Sequence, residues 1–150
     1  MKMTILNIAT TLSIGLLIGT ELTVSMFIHP VLRMLEPSTQ IATIRLFAKR
    51  LGSAMPFWYA ASLVLLLAES VTRSGEPGRS LLIGASIDWA AVIALSVFFL
   101  VPINNRLARG TGSDSAELDL REHHKWEAIH RVRVAALAVA MVCFLLATGA

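Results

Sequence analysis

Residues Met3 to Ile28 read MTILNIATTLSIGLLIGTELTVSMFI, a run whose one ionisable side chain is Glu21. An α-helix rises about 1.5 Å per residue, so a segment of this length and polarity crosses a hydrocarbon core about 30 Å thick. It reads as a membrane span. Lys2 supplies a positive start, yet the apolar stretch is too long for the core of a signal peptide and no small-x-small cleavage site follows it. The span is therefore expected to stay in the mature chain.

The rest of the chain repeats the pattern. At 150 residues, 55% hydrophobic and 15% charged, with a mean hydropathy of +0.69, it is too short for two ordinary domains and too apolar for one soluble domain. Further apolar runs cover 51–68, 81–101 with Asp88 as the one interruption, and 134–150. The expectation is an all-α, antiparallel four-helix membrane bundle forming a single domain over 1–150, with spans at about 3–28, 51–72, 81–101 and 126–149. Gly75, Pro77 and Gly78 mark a tight turn between the second and third spans. Arg33, Arg45, Lys49, Arg50, Arg106, Arg109, Arg121, Lys125, Arg131 and Arg133 lie in or beside the first and third connections, against Lys2, Arg73 and Arg79 on the other face. The positive-inside rule then puts both termini outside, and for a bacterial chain the membrane is the cytoplasmic one.

The net charge of +3 and pI near 9.6 follow from these flanking cations. They form no basic stripe on a polar domain, so nucleic-acid binding is excluded as a function class. The single cysteine, Cys143, rules out an internal disulfide and a multi-cysteine zinc site, and its apolar neighbours make it a core or lipid-facing residue.

In the first connection, Pro37-Ser-Thr starts a helix with Ile41, Ile44, Ala48 and Leu51 at helical spacing. This amphipathic segment lies on the membrane or runs straight into span two with a kink near Pro56. Phe57, Trp58 and Tyr59 read as an aromatic belt at the interface. Gly110 to Asp119 reads as a mobile loop. Gly15 with Gly19, and Ala136 with Ala140, are small-xxx-small pairs, read as close packing inside the bundle, with a homo-oligomer as the alternative.

Ionisable groups inside spans are costly and turn inward to a partner or a wet cavity. Glu21, Ser25 and His29 recur every four residues on span one, with Glu21 about 12 Å deeper than His29. The span is expected to end or bend at His29-Pro30. Trp126, His130 and Arg133 share a face of span four with His123 nearby, and Arg133 lies within reach of Glu21 if those helices face each other. His124, Glu127 and Arg131 read as a solvated flank. Asn104 and Asn105, after Pro102, arrive at the same level as the histidines. Glu69 reads as interfacial and solvated, and Asp88 as a residue bonded within the bundle.

The cluster is either a buried ion pair with two interfacial histidines and an aromatic anchor, or an active site. As a site, Glu21, Asn104, His130 and Arg133 are the catalytic candidates, and Ser25, Asn105 and Trp126 the substrate-binding ones. His29, His130 and Glu21 suit iron, copper or zinc, and the histidines suit haem. Without a cofactor, His130 is a general base and Arg133 stabilises an anionic phenolate or enolate. The non-enzymatic alternative is a carrier, electron-transfer or assembly subunit that binds a metal, haem or lipophilic ligand with the same residues.

Gly19 and Glu21, His29-Pro30, Pro102-Ile-Asn-Asn, then Trp126, His130 and Arg133 fall in an order that resembles the anthrone oxygenase-like family of small four-helix membrane proteins. The resemblance runs over essentially the whole chain. It implies oxidation of anthrones to anthraquinones with dioxygen in aromatic polyketide pathways, hence a lipophilic phenolic substrate. The matched positions are Glu21, His29, Asn104, Trp126, His130 and Arg133. His123 and His124 fall outside the matched pattern.

Overall fold

A computed structural model of the protein describes residues 5–109 and 116–149, all of them in helices and their turns. Helix α1 covers Ile5–Thr23, a π-helical turn Val24–Ile28 and α2 His29–Leu32; α3 runs Pro37–Thr72 and α4 Arg79–Leu95; a second π-helical turn, Ser96–Leu100, leads into α5, Val101–Arg109; α6 covers Ala116–Thr148. Four continuous helical segments, Ile5–Leu32, Pro37–Thr72, Arg79–Leu107 and Leu120–Thr148, are each long and apolar enough to cross a membrane. The protein is a four-helix, multi-pass membrane bundle. Each segment extends further toward the arginine-rich end than hydropathy alone places it. Met3, Thr4 and Gly110–Ser115 lie outside the described residues, and the remainder of the expected loop, from Ala116, is already helix.

Helix continues past both His29-Pro30, where the first span is expected to end or bend, and Pro102, just beyond the expected end of the third. His29-Pro30 and Pro102 each sit just after a π-turn, and helix continues to Leu32 and Arg109. A proline lacks an N–H and its ring collides with the carbonyl four residues earlier. A wider π-turn moves that carbonyl aside, so the helix survives with a local bulge. Likewise the amphipathic segment and span two form one helix through Pro56. With 36 residues, α3 is about 54 Å long and overhangs a hydrocarbon core of about 30 Å by several turns. Glu36 caps its start, accepting the Ser38 and Thr39 N–H groups at 3.1 and 3.3 Å. A bond from the Ser38 hydroxyl, with these two from the backbone, holds the Glu36 carboxyl below the ordinary range.

Leu17, Leu66, Leu82, Trp89, Leu137 and Phe144 are wholly buried between the helices. A smaller core of Leu32, Ile44, Ile103 and Leu107 closes the arginine-rich end. Lipid tails are as apolar as leucine, so packing and interhelical hydrogen bonds, with no hydrophobic drive, hold such a bundle. Leu12, Leu16, Val64, Ile87, Val139 and Leu146 accordingly stay exposed on the outside. Ser13 and Ser62 share a hydrogen bond at 2.9 Å, and Trp58 Nε1 donates to the Ser13 carbonyl at 3.1 Å, tying α1 to α3.

Gly78 brings the α3–α4 turn against the end of α6, where a Cβ would meet the Ala147 carbonyl and lie 2.9 Å from its Cα. Gly75, at φ +98°, supplies the left-handed residue of that turn. Gly15 and Gly19 admit no close neighbour: a Cβ on either meets nothing within 4 Å, because Ile14, Leu17, Ile18 and Glu21 form the inward face. Glu69 is buried and paired with Arg73 at 3.0 Å, contrary to a solvated reading, since it shares the inward face with Ser62 and Leu66. Asp88 is half-buried, and its Oδ2 makes no hydrogen bond among the described residues.

Candidate functional site

Toward the arginine-rich end, the first and third membrane segments each widen into a π-turn, and α3 carries a proline between them in the bundle. The first π-turn contributes Val24, the second Ser96, Val97 and Leu100, and α3 contributes Gly52 and Pro56 to a single cavity of about 130 Å³. Pro56 has no N–H to give the Gly52 carbonyl. Asn104, on α5, brings its amide nitrogen to 4.0 Å from where a Gly52 Cβ would stand. Most of the wall is apolar. Thr20, Glu21, Tyr59, Ser96, Asn104, Trp126, His130 and Arg133 are its polar or aromatic exceptions.

Glu21, on the inward stripe of α1, is 2% exposed. Its Oε2 takes a hydrogen bond from Arg133 Nη2 at 2.5 Å, and its Oε1 one from the Tyr59 hydroxyl at 2.8 Å. Arg133 also places Nη2 2.9 Å from His130 Nδ1 and Nη1 3.3 Å from Ser96 Oγ. A guanidinium only donates, so His130 Nδ1 accepts and the imidazole proton sits on Nε2, 3.3 Å from the Glu21 carbonyl oxygen. Arg133 Nε is buried without a hydrogen bond among the described residues. The guanidinium lies 5.5 Å from the Tyr59 ring centre and 5.9 Å from that of Trp126. Trp126 in turn stacks on His130 at 4.6 Å and 16°.

His29 belongs to a neighbouring group. Its Nδ1 is 3.2 Å from Glu127 Oε1, which His123 Nε2 approaches at 3.4 Å, and Arg33 pairs with Glu127 Oε2. Glu127 is thus 2% exposed, contrary to the solvated flank with His124 and Arg131. At 100° per residue it stands about 40° from His123 and 60° from His130, on the inward side of α6. The cation held by Glu21 and His130 is the Arg133 guanidinium. His29 therefore shares a carboxylate with His123, while its ring centre is 5.6 Å from that of His130.

Of the other candidates, Asn105 is exposed and Ser25 half-buried, and neither lines the cavity. Tyr59, read in sequence as part of a belt, is 4% exposed and packs on Trp89, whose Nε1 donates to the Tyr59 carbonyl at 3.1 Å. Phe57, two residues away, is 78% exposed. The sequence signal that singles out Tyr59 is slight: it is the only tyrosine, and it stands seven residues after Gly52 and three before Ser62, both on the inward face.

These features define a class: a small integral membrane protein whose helices enclose an apolar cavity with a buried acid, imidazole and guanidinium on its wall. The sequence model for the anthrone oxygenase family matches residues 44–143, and the chain belongs to that family. The matched stretch contains Tyr59, Asn104, Trp126, His130 and Arg133, while Glu21 and His29 precede it. No curated protein and no solved structure matches the chain.

Proposed function

We propose that this protein is a membrane-embedded oxygenase that converts a lipophilic anthrone-type substrate to the corresponding quinone with dioxygen. The observation that carries the reading is the Glu21–Arg133–Tyr59 cluster opening onto an apolar cavity in a member of the anthrone oxygenase family. A flat aromatic partitions into the bilayer and reaches such a cavity without passing through water. Its methylene C–H is acidic because the resulting anion is a delocalised phenolate.

In this mechanism Glu21 accepts the C–H proton, with Tyr59 as hydrogen-bond partner on the same carboxylate. Arg133, through its unoccupied Nε–H, and the Asn104 amide stabilise the phenolate oxygen. The carbanion carbon forms a C–O bond with dioxygen, and a proton completes a hydroperoxide. Loss of water then leaves a ketone: one methylene and one dioxygen yield one carbonyl and one water. His130, held through both ring nitrogens, fixes Arg133, and Trp126 offers a flat face to the substrate. The proposed orientation has both termini outside and this site near the cytoplasmic face.

The test is dioxygen uptake and quinone formation by the purified protein in lipid nanodiscs with an anthrone. Glu21→Gln keeps an acceptor for Tyr59 but removes the base, and turnover is expected to fall by about 10²–10⁴-fold. Tyr59→Phe, which removes one hydrogen bond to a charged group worth about 1.5–3 kcal/mol, is expected to lower turnover by about 10–100-fold. Wild-type rates in folded Glu21→Gln protein refute the assignment of the base; no uptake by folded wild-type protein with anthrones or hydroquinones refutes the function.

A further inference from the structure

Beside the proposed active site, His29, His123 and Glu127 converge with no part in the chemistry just described. All three are buried, at 6%, 4% and 2% exposure, and one donor atom from each lies within 4.8 Å of the others. We propose that these residues form a binding site for a divalent first-row transition metal ion, separate from the Glu21–Arg133 pair.

Three observations carry the inference. First, two of the three donor separations fit a tetrahedral ion, and the third lies within 4.8 Å. A tetrahedral ion with bonds of about 2.05 Å keeps neighbouring donors about 3.3 Å apart. His29 Nδ1 and His123 Nε2 stand 3.2 and 3.4 Å from Glu127 Oε1.

Second, the donors are unspent. Glu127 Oε1 and His123 Nε2 have no hydrogen bond among the described residues, although both are buried and close together. Leaving two such groups buried and unsatisfied costs their full desolvation penalty. A cation bound among the three donors would satisfy both of these atoms. Third, the carboxylate is held in place. Arg33, half-exposed at the helix end, takes Glu127 Oε2 and leaves Oε1 for a single metal bond.

Two imidazoles and one carboxylate suit iron(II), zinc(II), manganese(II) or cobalt(II), and leave coordination positions open. A small cavity of about 40 Å³ lined by His29, Asn104, His123 and Trp126 provides room for a further ligand. Trp126 lies between the two sites, stacked on His130 and parallel to the His123 ring at 6.1 Å and 9°. The site depends on no oxygenase activity, so its test is a binding measurement.

Purified protein in mild detergent is stripped with a chelator and titrated separately with Co(II), Zn(II), Mn(II) and, without air, Fe(II). Bound metal is counted by mass spectrometry, and the Co(II) visible spectrum reports geometry. The expected result is about one ion per chain with an imidazole-type Co(II) spectrum, lost in His123→Ala and Glu127→Gln and retained in His130→Ala. Circular dichroism shows that each variant is folded, and His123→Gln, closer in volume, replaces His123→Ala if that variant is not. No uptake of any of the four ions by folded wild-type protein overturns the proposal. So does uptake that persists in folded His123 and Glu127 variants, and so does equal loss in folded His130→Ala, which puts the ion in the other cluster.

Discussion

Removing one partner of the Glu21–Arg133 pair leaves the other charge stranded, because their side chains are only 3% and 10% exposed. Breaking a buried pair costs about 3–5 kcal/mol, mostly the penalty for the orphaned charge. Arg133→Met leaves the Glu21 carboxylate with the Tyr59 hydroxyl and the His130 imidazole, whose Nδ1 is 3.2 Å from Oε2, and with no permanent cation beside it, and Glu21→Gln leaves a buried guanidinium facing an amide. Each single variant should therefore lower the unfolding midpoint by roughly 10 °C, at about 2–4 °C per kcal/mol for a chain of this size. The double variant contains neither charge, and the amide carbonyl introduced at position 21 would still accept from Tyr59. Its loss should be smaller than the sum of the singles by about 6 kcal/mol, because each single carries an orphaned-charge penalty of about 3 kcal/mol and the double carries neither. Unfolding in mixed micelles, followed by tryptophan fluorescence with Trp89 and Trp126 as reporters, measures all four corners of the cycle. Additivity within about 0.5 kcal/mol refutes the coupling and, with it, the reasoning that Arg133 is held by Glu21. The double variant also separates stability from chemistry: it should be folded and inactive as an oxygenase.

Two further outcomes are expected. Gly78→Ala pushes a methyl group into the Ala147 backbone, so the α3–α4 turn and the end of α6 must part, costing about 1–3 kcal/mol in the same unfolding assay, whereas Gly15→Ala should be nearly neutral. In a Cys143→Ser background, a cysteine at the exposed Ser74 should react with an impermeant maleimide from outside intact cells, as the proposed orientation requires; labelling only after the membrane is opened reverses that orientation.

The membrane bundle was legible because a span leaves a one-dimensional mark. The charge-free runs and the turn at Gly75–Gly78 are local facts, and hydropathy reads them directly. The lengths of the helices were less legible. Pro30, Pro56 and Pro102 each signal a break, and each is absorbed, twice by a preceding π-turn and once within α3. Helical periodicity put Glu21 on the stripe with His29, and Arg133 on the face with His130. It could not show that a π-turn between Glu21 and His29 shifts that stripe, so that one faces Arg133 and the other Glu127. Glu127 reads as solvated because its neighbours His124 and Arg131 are polar, although its own angle on α6 turns it inward.

By itself, the sequence determined that this chain lives in a membrane, that it crosses four times, and that its costly polar residues gather toward the arginine-rich end. Hydrocarbon cannot hydrogen-bond, so spans and buried charges are forced by local composition. Only the tertiary structure decided which acid meets which base. Partners such as Glu21 and Arg133, separated by 112 positions, are chosen by helix rotation and by two π-turns, and no periodicity within one helix contains that information. The same packing drew Tyr59 from an apparent aromatic belt into the cavity and made a buried donor set of His29, His123 and Glu127.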